Sequence, residues 1–487
     1  MNKNLKKYVS LFFAAMFSLS LFGCGMTNDN SSSSGNITSS SSEESSTDSS
    51  SSSGGGTIII TPTQPTKVTN KTYQSYWMKQ HDYKTMPIAA FNGAPIQTGN
   101  YTKSMVTEEH YKTMSECYFN TSYALYDNIS YVDDVVKTLE YAAKYDISYL
   151  AGGSGFDSAT NVSTLETQIY KTLLNKENHL EALGGVLIRD EPHSKLFDKM
   201  AVSRSTFEEL LGKKVLYHSN LFPTYANEMQ LYSGDSNNMP EETYTYEQYV
   251  DDYLAKYNPQ VLSYDYYPLR SNGSMNAGYF ENMSIIRRKA AEAEIPFWVY
   301  IQSASWNTGV RAPSKADLHW LVNTSLAYGC KGIQYFTYVV PISNAYEKFH
   351  TALIDKDGNP TEIYYYAQTI NKFITEIDEV LMCSLNKGIM TVGATPCPIP
   401  EEDVISSYGA LESIEGESVI VGCFDHNKKD AYYVINNSVT NACTATLNFD
   451  KEASGYVQTY TEKTQFSAQE TVTISLEAGA GALVVLG

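Results

Sequence analysis

Between Tyr73 and Leu381, short apolar runs alternate with longer stretches in which apolar residues recur at helical spacing. This alternation is typical of repeated βα units around a parallel sheet. The apolar runs predict eight strands, over residues 87–91, 118–124, 147–151, 185–188, 214–218, 261–266, 297–301 and 332–337. The stretches between them predict helices over residues 132–144, 165–174, 203–211, 246–257, 282–293 and 315–328. The pattern therefore predicts an α/β protein with a (β/α)8 TIM barrel over residues 73–386.

A closing amphipathic helix is predicted over residues 362–381, and after it the hydrophobic period changes to two. Alternating apolar and polar positions, punctuated by Asn- and Gly-containing turns, are typical of antiparallel strands. Such strands are predicted over residues 418–423, 431–435, 442–447, 455–460, 472–475 and 482–485. We therefore expect a C-terminal antiparallel β-sandwich over residues 387–487, packed against the barrel.

The first 23 residues have the pattern of an export signal, with Lys3, Lys6 and Lys7 ahead of an apolar run over residues 8–22. The run is too short to span a bilayer comfortably. Its end, Leu-Phe-Gly-Cys24, resembles the lipobox of bacterial lipoproteins, which implies cleavage before Cys24 and acylation of its thiol. An ordinary secretory signal is the alternative. In both cases we expect an exported protein, and in the first one it is lipid-anchored to the outer face of the cell membrane.

Residues 24–72 are dominated by Ser, Gly, Thr and Asn, a composition that lacks the apolar residues needed for a core. This segment is expected to be a flexible tether. The net charge of −19 argues against a nucleic-acid partner, because phosphate binding requires a basic face. The six cysteines after Cys24 show neither CxxC pairs nor histidine spacing, so no metal site is predicted.

Polar and aromatic side chains occur where the predicted barrel strands end. The active site of a TIM barrel lies at these carboxyl ends. Asp190 and Glu191 follow the fourth strand directly, and Asp265 ends the sixth. Other strand ends carry amides and rings that suit hydrogen bonding and stacking with a sugar: Asn92, His218, Asn220, Tyr264, Tyr267, Gln302, Trp306, Tyr335 and Tyr338. Any one of these residues alone could simply be a hydrogen-bonded residue at the rim of the barrel. The prediction of a sugar site therefore depends on all of them facing one cavity.

The Asp190-Glu191-Pro192 sequence resembles the strand-four end of barrel glycoside hydrolases, in which the glutamate is the general acid/base. Residues 325–336 and 353–361, and the C-terminal sandwich, resemble the corresponding parts of family 42 β-galactosidase-like barrels. The resemblance covers roughly residues 85–487. It implies that Glu191 is the acid/base, that the substrate is a polysaccharide or oligosaccharide, and that no cofactor is needed.

The resemblance fails at the seventh strand, where related retaining enzymes carry a nucleophilic glutamate and this chain has Ile301. Three explanations remain open. Asp265 or Asp190 serves as the second carboxylate; the substrate supplies its own nucleophile, since Asp190-Glu191 resembles the Asp-Glu pair of hexosaminidases; or the barrel only binds. In the catalytic cases Glu191 must be protonated at rest, so its pKa must be raised by burial or by Asp190 and Asp265.

The leading hypothesis is therefore a glycoside hydrolase at the cell surface. The alternatives are a non-catalytic glycan-binding lipoprotein with a degenerate barrel, and a scaffold or adhesion protein whose tyrosines are simply surface residues. Strand alternation predicts that Arg189 and Glu191 share one face of the fourth strand and that Asp190 lies on the other.

Overall fold

The computed structural model describes residues 81–96, 101, 103–123, 132–152, 162–174, 179–211 and 215–487. The predicted signal peptide, Cys24 and the predicted tether lie outside these residues. Eight parallel strands close into a barrel in the order β1-β2-β3-β4-β5-β6-β7-β9, which confirms the predicted fold class. The strands are β1 Ile88–Ala90, β2 Thr121–Tyr123, β3 Ser148–Ala151, β4 Leu183–Asp190, β5 Leu216–Leu221, β6 Leu262–Asp265, β7 Phe297–Gln302 and β9 Ile333–Phe336.

Helices connect the strands and cover the outside of the barrel. They are α1 Glu108–Glu116, α2 Val132–Lys144, α3 Val162–Gln168, α4 Phe197–Leu211, α5 Glu228–Tyr232, α6 Tyr246–Tyr257, α7 Tyr279–Glu292, α8 Lys315–Ala327 and α9 Glu362–Met382. A π-helical turn, Ile169–Leu173, continues α3 directly. Capping boxes at Thr245 and Ser314 fix the starts of α6 and α8, because each side chain accepts a hydrogen bond from a backbone N–H of the first turn.

Two strands run further than their apolar runs predict. β4 continues through Arg189 to Asp190, and β5 continues through Asn220 to Leu221. A short hairpin-like pair, β8 Ser305–Trp306 and β10 Phe349–Thr351, joins the loops that follow β7 and β9. Both features depend on pairing between segments that are distant in sequence, so local periodicity did not predict them.

The C-terminal domain is a seven-stranded antiparallel sheet, in agreement with the predicted sandwich. Its order is β11-β13-β14-β17-β15-β12, and β16 pairs with β15. The strands are β11 Ser384–Gly393, β12 Leu411–Glu415, β13 Ser418–His426, β14 Lys429–Asn436, β15 Cys443–Gln458, β16 Lys463–Leu476 and β17 Gly481–Leu486. Side chains from one face, including Val421, Val434, Leu447 and Val484, form a separate apolar core.

The sheet packs against α8, which is buried from Asp317 to Ala327 between the two domains. Asn323 links them: its Nδ2 donates to Gly479 O over 2.6 Å, and its Oδ1 accepts from the Tyr433 hydroxyl over 2.7 Å. Trp320 Nε1 donates to Asn437 Oδ1 over 2.8 Å. The sandwich therefore supports the outer wall of the barrel. None of the helices in the described part of the chain combines the length and the hydropathy that crossing a bilayer requires.

Candidate active site

A bulge in β4 brings Asp190 to the inside of the barrel. Leu187 pairs with His218 and Arg189 pairs with Ser219, so Ile188 is an extra residue opposite β5. An extra residue shifts the alternation of side chains by one position. Asp190 then lies beside Asn220 in the register. The expectation that Asp190 and Glu191 lie on different faces was wrong, because both side chains line one pocket.

Glu191 reaches the same space through an unusual backbone conformation. Its φ is +44°, in the left-handed region that non-glycine residues seldom adopt. Its backbone N–H donates to Asn220 O over 2.9 Å, which holds the turn at the end of β4. Such local strain is common at functional sites, where the surrounding structure fixes it.

The carboxylates of the fourth and sixth strands line one pocket at the carboxyl ends of the strands. Its lining consists of Phe91, Asp190, Glu191, Asn220, Asp265, Tyr267, Tyr300 and Phe336. The cavity volume is about 20 Å³, which is room for one water molecule.

A chain of buried hydrogen bonds beneath the pocket fixes the orientation of Asn220. Tyr123 donates to Gln334 Oε1 over 2.5 Å, and Gln334 Nε2 donates to Ser263 Oγ over 2.9 Å. Ser263 donates to Asn220 Oδ1 over 3.1 Å. Because its carbonyl accepts this bond, the amide nitrogen of Asn220 points at Asp265 Oδ1, 3.0 Å away.

The electrostatics of the pocket favour a protonated Glu191. Burial raises its pKa well above the usual value, and the charges of Asp265, Asp190 and Glu347 raise it further. Burial raises the pKa of Asp190 to about 6, although a hydrogen bond from Asn220 and the nearby Arg189 oppose the rise. Burial raises the pKa of Asp265 well above its usual value, and the charge of Asp190 raises it further. Hydrogen bonds from Asn220 and Tyr267 oppose this rise because they stabilise the ionised form of Asp265.

Of the predicted sugar-binding residues, Asn220 and Tyr267 line this pocket. Trp306 lies directly behind the lining, with its ring centroid 5.2 Å from that of Tyr267 and 5.6 Å from that of Phe336. His218 lies deeper, buried between the rings of Tyr123 and Trp298. Burial lowers its pKa to about 3, so its imidazole is neutral inside the barrel.

The structure places five other predicted sugar-binding residues away from the pocket lining. Two amides are engaged in bonds between loops. Asn92 donates to the Tyr101 hydroxyl and to Val339 O, each over 3.0 Å. Gln302 accepts from Leu269 N over 2.9 Å and donates to Arg311 O over 2.9 Å.

The three tyrosines among these five are fully buried on the outer side of the strands. Tyr335 donates to Asn371 Oδ1 of α9 over 2.7 Å. The ring of Tyr338 packs against His110 of α1. Tyr264 alternates with the inward-facing Ser263 and Asp265, so its side chain faces the helices. Strand alternation decides the placements of Tyr264 and Tyr335, whereas proximity to a strand end does not.

Sequence reasoning missed four residues in or near the pocket. Phe91, Tyr300 and Phe336 are inward-facing strand-end aromatics that alternation alone could have identified. Tyr300, not Ile301, is the residue that the seventh barrel strand presents to the pocket. Glu347 lies in a loop without periodicity, and no sequence signal marks it. Within the described ranges, no group of three or more His, Cys, Asp and Glu side chains is arranged to hold a metal ion.

The fold and the site together are a closed parallel barrel with three carboxylates clustered at its strand ends. Residues 224–377 match the family 42 glycoside hydrolase model, whose description is β-galactosidase. No curated protein matches the chain.

Solved structures share the fold over most of the chain. A catalytic mutant of a family 42 β-galactosidase from G. stearothermophilus is 8% identical, with 83% of this chain and 98% of that chain covered and a TM-score of 0.51. A β-galactosidase from Bacillus circulans sp. alkalophilus is 9% identical, with 83% and 99% covered and a TM-score of 0.51. Identities this low show a shared fold only.

Proposed function

We propose that this protein is a glycoside hydrolase with Glu191 as its general acid. The observation that carries the proposal is the convergence of Asp190, Glu191 and Asp265 on one pocket. Two of these groups differ in protonation state, as catalysis by one general acid and one general base requires. Glu191 is held protonated by burial and by neighbouring negative charge, whereas Asp190, with a pKa of about 6, is ionised at neutral pH.

The proposed mechanism is a single displacement by water. Glu191 donates its proton to the glycosidic oxygen as the bond from that oxygen to the anomeric carbon breaks. A water oxygen bonds to the anomeric carbon, and its proton passes to the carboxylate of Asp190, which is ionised at neutral pH. The space for one water between the carboxylates supports this route. It predicts inversion at the anomeric carbon, which proton NMR of the first-formed product measures.

A substrate-assisted route is the second candidate. It is favoured by the position of Asp190 beside Glu191 in the same pocket, because an aspartate there could orient an acetamido group of the substrate. This route predicts retention of configuration and activity limited to N-acetylated sugars. The anomeric form of the product and the requirement for an acetamido group therefore separate the two routes.

The matched family model and its relatives named as β-galactosidases support β-galactosides as the first substrates to test. A panel of glycans and methyl glycosides, including β-galactosides and N-acetyl-β-hexosaminides, would be incubated with wild-type protein and with Glu191→Gln. We expect sugar release by the wild type and a rate at least a hundredfold lower in the variant. Glu412→Gln, at an exposed carboxylate of the sandwich, is the control and should match wild type.

The non-catalytic alternative is a glycan-binding barrel, which the absence of a strand-seven carboxylate supports. It predicts that wild type and Glu191→Gln bind a polysaccharide equally in affinity gels and that neither releases product. That result would overturn hydrolysis. If the protein is not retarded in any of the gels and releases no sugar, a scaffold or adhesion role is favoured instead.

We also propose that the protein is exported and anchored through a lipid on Cys24. The apolar run ahead of Leu-Phe-Gly-Cys24 supports this location. Cys24→Ser should move the protein from the membrane fraction to the soluble exported fraction and abolish labelling by a radioactive fatty acid. Labelling that persists in Cys24→Ser would contradict the proposed anchor.

A further inference from the structure

The seventh barrel strand places a tyrosine beside the carboxylates of the pocket. Tyr300 pairs in register with Asp265 of β6, and adjacent strands lie about 5 Å apart. Residues paired in this way carry their side chains on the same side of the sheet, and both of these side chains line the pocket. The ring of Phe91 packs edge-to-face on that of Tyr300, with centroids 5.3 Å apart. The direction of the Tyr300 side chain is therefore fixed by its strand and by its packing.

The hydroxyl of Tyr300 is buried, and no group in the described part of the chain forms a hydrogen bond with it. The residue is only 2% exposed, so bulk solvent does not supply the missing bond. A buried hydroxyl without a hydrogen bond destabilises the folded state, and buried polar groups in proteins are nearly always paired. An unpaired one that belongs to the lining of a functional pocket points to a bound molecule as its partner.

The neutral polar groups that share the pocket with Tyr300 are already engaged. Asn220 Oδ1 accepts from Ser263, and Asn220 Nδ2 donates to Asp265, so both ends of the amide are occupied. The hydroxyl of Tyr267 hydrogen-bonds Asp265 as well. The two phenylalanines of the lining have no polar side-chain atoms. Among the eight lining residues, Tyr300 therefore offers the neutral oxygen that is left to hold a water molecule beside the three carboxylates.

We propose that Tyr300 positions the water that attacks the anomeric carbon. The water donates one hydrogen to the carboxylate of Asp190 and the other to the hydroxyl oxygen of Tyr300, so one of its lone pairs points at the sugar. The cavity of about 20 Å³ has room for this one water. The inference rests on the proposed hydrolase function and deepens it. Tyr300 is a positioning residue, because it acts through the water.

Tyr300 keeps its own proton throughout the reaction. The water oxygen bonds to the anomeric carbon as the bond to the glycosidic oxygen breaks; Asp190 receives the proton of the water, and Glu191 supplies the proton of the leaving group. Burial raises the pKa of Tyr300 well above its usual value, and the neighbouring tyrosine and aspartates raise it further. A neutral tyrosine hydroxyl is a weak nucleophile, so it orients the water and does not itself attack the sugar.

Tyr300→Phe tests the role, because it removes the hydroxyl and leaves the ring in place. We expect kcat to fall about thirtyfold while KM stays within about twofold, since the sugar binds as before but the water is misplaced. Tyr264→Phe is the matched control. Tyr264 is also buried and its hydroxyl also has no partner among the described residues, but it faces the helices, so the variant should match wild type.

Two substrates separate the water side of the reaction from the leaving-group side. They are lactose and 4-nitrophenyl β-D-galactopyranoside, or the matching pair for another sugar that the panel selects. Tyr300→Phe should lose as much rate on the nitrophenyl glycoside as on the disaccharide, because a better leaving group does not orient the water. Glu191→Gln should recover most of its rate on the nitrophenyl glycoside, because nitrophenolate departs without a proton.

The pH–rate profile separates positioning of the water from an effect on the aspartates. The acidic limb of Tyr300→Phe should stay where it is in wild type. A limb that moves to higher pH would mean that the hydroxyl acts by stabilising a carboxylate, and it would overturn the proposed role. A raised KM at unchanged kcat, unchanged rates, or retention at the anomeric carbon would overturn it as well.

A high-resolution crystal structure tests the water site independently of activity. We expect one ordered water within hydrogen-bonding distance of Tyr300 Oη and the Asp190 carboxylate in wild type, and none at that place in Tyr300→Phe. A wild-type pocket without this water overturns the inference even if the protein hydrolyses glycosides. If the water is present but wild type releases no sugar, the hydrolase proposal fails and the positioning role fails with it. The Tm of Tyr300→Phe should be no lower than that of wild type, because the hydroxyl has no partner among the described residues; a lower Tm would indicate a structural role instead.

Discussion

Asn220 Nδ2 donates to Asp265 Oδ1 over 3.0 Å, and the same amide also hydrogen-bonds Asp190. One side chain of β5 therefore connects carboxylates from the two strands beside it. Because Ser263 donates to its Oδ1, the amide cannot rotate without breaking a buried bond. This arrangement fixes both carboxylates and stabilises their charged forms.

Asn220→Ala should shift the pH dependence of hydrolysis. The hydrogen bonds from Asn220 lower the pKa values of Asp190 and Asp265, so their removal raises both values. The acidic limb of kcat/KM, which reports formation of the reactive carboxylate, should move about one unit to higher pH. The measurement is a pH–rate profile. Asn441→Ala, at an exposed asparagine of the sandwich, should leave the profile unchanged; an unchanged profile in Asn220→Ala would show that neither aspartate limits the rate.

The barrel was predictable because each strand is a short apolar run followed by a helix, and local patterning records both. The carboxylates at the ends of β4 and β6 were found by the same logic. The bulge at Ile188 was not predictable, since it appears only when β4 pairs with β5. Glu347 could not be found for a similar reason, because its burial depends on a contact between two loops.

The alternation of strand side chains could have been applied more strictly. Tyr264 and Tyr335 were predicted to bind sugar because they are aromatic residues at strand ends. Each of them alternates with an inward-facing neighbour, however, and so faces the helices. Tyr300 and Phe336 are the residues that the same rule, applied with alternation, assigns to the pocket. The sequence thus predicts which strands contribute to the site better than it predicts which side chains do.

Asp190→Asn should stabilise the protein at neutral and alkaline pH. Burial raises the pKa of Asp190 from its ordinary value of 3.8 to about 6, so its contribution to stability is present below about pH 3.8 and is lost as the pH rises through about 6. Removing the charge should recover roughly 1–3 kcal/mol at pH 8. Thermal unfolding at pH 4 and pH 8 measures the effect as an increase of Tm of a few degrees at pH 8 only. A similar increase at both pH values would point to packing instead of charge.

Asn323→Ala should weaken the joint between the barrel and the sandwich. The buried amide of Asn323 donates to Gly479 O and to the Tyr460 hydroxyl, and it accepts a hydrogen bond from the Tyr433 hydroxyl. Removing the amide takes this hydrogen-bond partner away from all three groups. We expect a loss of about 3–5 kcal/mol in the free energy of unfolding. Urea denaturation measures it. A loss below 1 kcal/mol, no larger than that of an exposed asparagine such as Asn237, would contradict the role of Asn323 as a joint.

Ile301→Glu should not restore the strand-seven nucleophile of the related retaining enzymes. Ile301 is 1% exposed, and alternation with the pocket-lining Tyr300 turns its side chain away from the pocket. The new carboxylate would be buried outside the pocket without a partner and should cost more than 3 kcal/mol of stability. Thermal unfolding and the hydrolysis rate check both parts, with Ile301→Leu as a control expected to be nearly neutral. An increase in hydrolysis by Ile301→Glu, with retention at the anomeric carbon, would show that position 301 does reach the substrate and that Tyr300 is not the strand-seven residue facing the reaction.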